Sequence, residues 1–353
     1  MEEKKKMVFN NKVGKTEYMV VPGNKGEVHT VTEKVKKGFI PRVKEHKMLG
    51  TWVDESIKYG INITKRREKL QYMIGSINRQ PSPSKVGIYA VPSRLKLAEI
   101  VIIPSILHNA EAFPTYTENE VKQLDSVQHS ILTGVLNLPM STPYNALLME
   151  VGWWTMRARL GYRKLMLYHN IMNSDKKRPI KRIIHIQKNE ERETTWYRSV
   201  EREMEKYDIK TDPKTVLKST WKKEVKDKIT TKVGEEIREK CKTSKKARNV
   251  VNDEFKMKDY LSGKTTFKDA RRILSTRLNM NKVPGNYKGN SEGMCPLCEK
   301  EEGNNEHYFK CQKVRVLREV WGVEKEDLVN QELKKMTNLG FFMEKVEVMV
   351  NPF

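Results

Sequence analysis

The sequence predicts a mainly α-helical chain with a small N-terminal β element, a helical bundle and a small Cys-Cys-His-Cys zinc module. Three observations carry this. The apolar residues change from strand-like runs to a helical period near residue 64. Explicit helix-start signals recur between residues 117 and 143. Cys295, Cys298, His307 and Cys311 fall within seventeen residues at the spacing of metal ligands.

Residues 7–60 read as strands. Met7-Val8-Phe9 and Tyr18-Met19-Val20-Val21 are short apolar runs, and Gly23-Asn24-Lys25-Gly26 is a turn. Lys47 to Val53 reads as a further strand, with Gly50 as a bulge or close backbone approach. Thr64 then caps a helix that runs to about Asn78 and is broken by Pro81, Ser82, Pro83 and Ser84. Leu95 to Phe113 is apolar enough for a core helix kinked at Pro104. Thr117-Glu118-Asn119-Glu120 is a capping box. Val121, Leu124, Val127, Gln128, Ile131, Leu132 and Val135 follow it at spacings mostly of three and four, and Pro139 closes the helix. Thr142 caps the next helix with Pro143 at its first position; Leu147, Leu148 and Val151 form its apolar side and Gly152 ends it. Trp153 to Met172 is a longer helix with Met156, Leu160, Leu165, Met166 and Tyr168 inside. Its exposed side carries Arg157, Arg159, Arg163 and Lys164.

Between residues 175 and 290 charge dominates. Lys214 to Arg248 holds thirteen basic residues against five acidic ones, which makes it the electrostatic centre of the chain. Lys222, Lys223, Lys245 and Lys246 stand in this stretch. Trp196, Tyr197 and Trp221 offer faces that can stack on bases. Such residues more often anchor small helical cores. No repeat of fixed period is present.

The cysteine cluster is C-x2-C-x8-H-x3-C. Two cysteines on a tight turn aim both sulfurs at one ion, and a His and Cys four apart on a short helix complete a tetrahedron. Four protein ligands leave no open position for water, so a zinc ion there is structural. The competing reading is ordinary buried cysteines, or a disulfide with one to spare. Cys241, far upstream in the basic stretch, reads as a free thiol.

Over 353 residues, 68 Lys+Arg against 45 Asp+Glu give a formal net charge of +23. Such a surface calls for an anionic partner, RNA or DNA first among them, because neutralised phosphates release counterions; the plainer alternative is a basic but inert surface. The 37% hydrophobic content marks a lean core. No apolar run is long enough to span a membrane. Met1-Glu2-Glu3-Lys4-Lys5-Lys6 lacks the apolar core of a signal peptide. Together with thiols at zinc spacing, this suggests an intracellular protein, nuclear or cytoplasmic. Serine hydrolase chemistry lacks its G-x-S-x-G signature.

These pieces, in this order, resemble the C-terminal part of a non-LTR (LINE-type) retrotransposon reverse transcriptase over roughly three hundred residues. Phe9-Asn10-Asn11 with Lys15-Thr16-Glu17-Tyr18-Met19 is similar to the late-palm segment. Lys47-Met48-Leu49-Gly50 resembles the primer-grip hairpin, with Met48 in place of the usual aromatic. Leu107 to Phe113 resembles a thumb segment that commonly reads Leu-Tyr-Gly-Ala-Glu-Ala-Trp. Leu138 to Pro143 and Ala146 to Gly152 are similar to the next block, and Leu274 to Trp321 to the zinc-binding tail. The resemblance implies a palm remnant with a primer-grip-like hairpin over 1–60, a thumb-like helical domain over 61–174 and a basic helical linker region over 175–275. A CCHC zinc module over 276–323 and a C-terminal tail over 324–353 complete it.

The resemblance also implies what is missing. The family's polymerase chemistry uses paired carboxylates, including a Tyr-x-Asp-Asp turn, to hold magnesium ions. No Asp-Asp pair occurs in this sequence. Mg2+ would matter only if the missing palm came from elsewhere. The expectation is therefore a nucleic-acid-binding fragment with no catalytic residue, inactive as a polymerase by itself. The alternatives are the non-catalytic subunit of a split RNA-directed DNA polymerase, a host-adapted zinc-finger binding protein, or the product of a decayed element. Expected nucleic-acid contacts are Lys15, Leu49, Gly50, Arg157, Arg163, Lys222, Lys223, Lys245 and Lys246. The sequence leaves oligomeric state, RNA or DNA preference and target sequence open.

Overall fold

The computed structural model describes residues 18–19, 42–79, 87–190, 192, 194–244, 246–251, 254–286, 293–329 and 332–351. The strand expected at Met7-Val8-Phe9, the Gly23–Gly26 turn, Lys15 and Lys245 lie outside them. The described chain is mainly helical, with one two-stranded antiparallel sheet.

That sheet is a hairpin of β1 (Glu45–Met48) and β2 (Thr51–Asp54), with Met48 paired to Thr51. The single strand expected over 47–53 is thus split in two. Leu49 and Gly50 both take positive φ, +48° and +81°, and form a two-residue turn rather than a bulge. Backbone twist at two such residues matches that of the flanking strands, which is why short hairpins favour this turn. The tip is held from below. Arg66 Nη2 donates to the Gly50 carbonyl (2.9 Å), His108 Nε2 to the Leu49 carbonyl (3.1 Å) and Asn109 Nδ2 to Thr51 Oγ1 (2.7 Å).

Helix α1 (Gly60–Arg79) begins four residues before the predicted cap. Its start has no local signal, because its cap is remote. Glu120, the capping-box carboxylate of a later helix, accepts from Gly60 N at 2.5 Å as well as from Thr117 N at 2.7 Å. Helix α2 (Ala90–Leu97) runs through a π-helical turn (Ala98–Ile102) into α3 (Ile103–Ile106). The one long helix expected over 95–113 is therefore shorter and locally widened. Pro104 has no N–H for the preceding turn, and a π turn absorbs the missing bond. Asn109, at φ +56°, then turns the chain.

Helix α4 (Glu118–Leu136) has the capping box in full, and Leu124, Ile131 and Leu132 are completely buried. Helix α5 (Tyr144–Val151) starts one residue later than predicted. Thr142 does not cap it; its hydroxyl bonds the Pro139 carbonyl at 2.7 Å. Helix α6 (Met156–Met172) is capped by Thr155, not begun at Trp153. Lys164, expected on its exposed side, is 2% exposed and donates to the Pro114 carbonyl and Ser199 Oγ, both at 3.0 Å. The covering element is α8 (Trp196–Lys206), which follows α7 (Pro179–Asn189).

The basic stretch forms α9 (Lys218–Lys242). Trp221, Val225, Ile229, Val233, Ile237 and Cys241 recur almost every fourth residue, and all are buried. They join the same core as α4, α5 and α6. Trp196, Tyr197 and Trp221 are core anchors here, not exposed stacking faces. Helix α10 (Phe267–Arg277) closes this core and packs on the last long helix, α13 (Leu333–Val350). Between them lie α11 (Asn305–Tyr308) and α12 (Arg315–Trp321).

An ion pair with both partners at 0% exposure joins the two halves. Arg277 Nε meets Glu150 Oε1 at 2.7 Å. Tyr260 Oη donates to the other carboxylate oxygen at 2.7 Å, and Arg277 Nη1 to the Leu328 carbonyl at 3.2 Å. Arg277→Met would strand a buried carboxylate and should destabilise the chain by about 3–5 kcal/mol. Glu150→Leu together with Arg277→Met should recover much of that in urea titrations. A double variant no better than the single would show that the pair itself is not the source.

Burial also holds the Lys164 ammonium down to about 8. The folded chain then binds this proton more weakly than the unfolded chain. Stability is reduced at every pH below 8 and rises as pH climbs from there toward roughly 10.4, the unfolded value. The burial of Cys241, pushed up to about 11, opposes this slope. The readout is therefore the difference between wild type and Lys164→Met in urea midpoint, which should shift in favour of wild type between pH 8 and 10. A constant difference would contradict it.

Candidate metal centre

The four candidate ligands come from two short devices. The first is a tight loop over 293–303. Cys295 N donates to the Glu301 carbonyl (2.8 Å), Glu299 N to the Cys295 carbonyl (2.8 Å), and Gly303 N to the Gly293 carbonyl (2.8 Å). Met294 and Glu302 form an antiparallel bridge, so Cys298 sits on the turn opposite Cys295. A Cβ on Gly303 would lie 2.8 Å from Tyr308 Oη and 3.0 Å from Cys295 Cα, so this approach admits only glycine. The second device is α11. Asn304 Oδ1 accepts from His307 N at 3.0 Å and starts the helical turn. Cys311 N returns to the His307 carbonyl at 2.8 Å. His307 and Cys311 thereby face the same point.

The ligand atoms of Cys295, Cys298, His307 and Cys311 all lie within 4.8 Å of one another, close enough to hold a metal ion. Tetrahedral zinc spaces sulfur and nitrogen ligands roughly 3.5 Å apart. Cys298 Sγ and His307 Nε2, at 3.3 Å, already have such a spacing. Three sulfurs and one imidazole are a donor set that suits zinc. The Lys300 backbone N–H is the main influence drawing the Cys298 thiol down to about 7, which favours the ligating thiolate. Burial pushes Cys311 the other way, up to about 11.

Sequence reasoning missed the outer partners. Glu301 Oε2 lies 3.1 Å from His307 Nδ1 and leaves Nε2 facing the sulfurs. A carboxylate on the far ring nitrogen fixes tautomer and orientation in metal-bound histidines. Its only signal was being one of four acidic residues in the eight-residue spacer, which does not single it out. Arg318 Nη1 donates to the carbonyls of Cys311 (2.6 Å) and Tyr308 (3.0 Å). Behind the centre, Cys295, Tyr308 and Cys311 share a core with Leu339, Phe342, Met343 and Val346 of α13. The residues beyond 324, read as a tail, thus supply one wall of the module.

Of the other expected site residues, only Arg163 and Lys222 come together, along one cleft. Leu49 is 88% exposed at the hairpin tip, beside Gly50. Arg157 is engaged by Glu118, and Arg163 grips Glu111 with two bonds of 2.8 and 3.0 Å. Lys222 and Lys223 are exposed on α9. Lys246 is half-buried near Met280 Sδ, 3.8 Å away.

Cys298→Ser should abolish tight binding of zinc or cobalt and increase amide exchange over 293–329. Glu301→Ala should leave the metal bound but weaken it roughly 10- to 100-fold in chelator competition. Unchanged affinity in both variants would remove the centre.

No protein-family model, curated protein or solved structure matches the chain.

Proposed function

We propose that the chain is a nucleic-acid-binding protein that resembles the C-terminal part of a non-LTR reverse transcriptase. Its zinc ion is structural, and it is inactive as a polymerase by itself. The observation that carries this reading is the arrangement of charge on α9. One face is buried apolar residues at helical spacing. Away from it stand Lys222, Lys223, Lys226 and Lys232, all exposed and with no ion-pair partner among the described residues. A rigid helix that holds lysines without counter-charges suits phosphate contacts, which position a strand without reading its sequence.

The centre supports a structural ion, because all four ligand positions are protein atoms and no water site remains. No helix of the described residues is long and apolar enough to cross a membrane. The hairpin tip, with Leu49 exposed and Gly50 fixed by Arg66, is the element that resembles a primer grip.

Binding of labelled duplexes and single strands, RNA and DNA, should fall steeply with salt. The variant with Lys222, Lys223, Lys245 and Lys246 all changed to Gln should flatten that salt slope without altering sequence preference. Primer extension on an RNA template with magnesium should give no product above a no-protein control. Templated product would overturn the non-catalytic reading, and binding indifferent to salt would overturn the phosphate reading.

A further inference from the structure

A cleft of about 620 Å3 opens between α3, α6 and α9. This lies inside the roughly 300–1,000 Å3 range of small-ligand sites. Its rear wall is a close backbone approach. Gly152 takes φ +67°, and a Cβ there would lie 2.6 Å from Met257 N. Its aromatic wall is fixed. Trp154 Nε1 donates to Thr230 Oγ1 at 3.1 Å, and the Trp154 and Tyr162 rings meet edge-on at 5.3 Å.

The cleft's charge is unbalanced. Arg159, Lys222 and Lys226 line it, with Arg163 and Lys256, which are paired to Glu111 and Glu254, and Glu99 is its one acidic lining residue. Glu99 is engaged by Lys96 at 3.4 Å. Arg159 stacks over Trp153 at 5.2 Å, yet its buried Nε has no hydrogen-bond partner, and among the described residues no carboxylate is in ion-pair contact with it; Glu99 acts on it only through space. Burial lowers its pKa. An uncompensated guanidinium in such a place costs stability and is a feature that binding sites retain. Its planar fork fits a phosphate with two parallel bonds.

We propose that this cleft holds one nucleotide of a single-stranded nucleic acid, with its phosphate on Arg159, Lys222 and Lys226 and its base against Trp154 and Tyr162. The proposal rests on the nucleic-acid reading above and assigns it a strand-specific site. Base stacking on the aromatic wall would tolerate any sequence, and the phosphate would supply the counter-charge that the fold leaves the guanidinium without.

The test uses the full chain, a fluorescein-labelled single-stranded pentanucleotide and a 20-base-pair duplex, with binding followed by anisotropy and folding by thermal melts. Arg159→Gln should weaken pentanucleotide binding about tenfold while duplex binding changes little and the melting temperature stays level or rises. Lys222→Gln with Lys226→Gln, both at exposed positions, should weaken the pentanucleotide severalfold without moving the melt. Adenosine monophosphate should compete better than inorganic phosphate. Folded variants that bind the pentanucleotide like wild type would overturn the proposal. So would Arg159→Gln that melts earlier yet binds normally, since Arg159 would then be a structural prop. Equal competition by phosphate and the nucleotide would reduce the cleft to a simple anion site. A wild-type chain that binds neither strand nor duplex at low salt would instead sink the broader nucleic-acid reading.

Discussion

The buried contact between Glu150 and Arg277 sets the relation between the two halves of the chain. Both side chains are fully inaccessible, and their remaining polar atoms are met by Tyr260 and the Leu328 carbonyl. Charges removed from water are tolerated only when geometry and hydrogen bonding are nearly complete. That demand fixes three distant segments at once. Glu150 stands next to the end of α5, directly before the Gly152–Trp154 wall of the cleft. Arg277 ends α10, and the chain from there leads into the metal centre. Leu328 leads into α13, whose apolar face backs the cysteines.

Net charge is a poor map of where an anion can be bound on this surface. Two of the basic side chains expected on the exposed side of α6 are turned to internal work. Arg163 is held by Glu111, whose carbonyl also accepts from Trp196 Nε1 at 2.8 Å, so the bond braces α6 against α8. Lys164 is buried beneath the same helix. What remains for an anion is narrower: the lysines of α9 and the guanidinium of Arg159. The first are not paired by the acids of α9, of which Glu224 bonds Thr211 at 2.7 Å, Glu236 meets Lys206 and Glu239 meets Lys242. The second is free because nothing in its wall carries an unengaged negative charge.

Local chemistry was legible in the sequence and long-range chemistry was not. The α4 capping box, the buried positions Leu124, Ile131, Leu147 and Leu165, and the convergence of Cys295, Cys298, His307 and Cys311 all rest on spacings of a few residues. These survive folding because the groups meet within one or two turns. The start of α1 was misplaced because its cap, Glu120, comes from sixty residues away. Lys164 and Arg159 were read as exposed because helical period does not reveal a second element covering the polar side. Nothing in the local sequence around Glu150 or Arg277 marks them as partners, and only the tertiary fold brings them together. The block Ala146 to Gly152, which holds Glu150, was singled out for its resemblance and not for a partner. The pairing itself needed coordinates.

If Arg277, held by Glu150 in the helical core and bonded to the Leu328 carbonyl beside the second core, welds the two together, the zinc-loaded chain should unfold as a unit. Scanning calorimetry measures this directly. A single transition whose calorimetric and van 't Hoff enthalpies agree is the expected result. Two resolved transitions, with only the lower one sensitive to a chelator, would show that the metal module and the helical core fold independently.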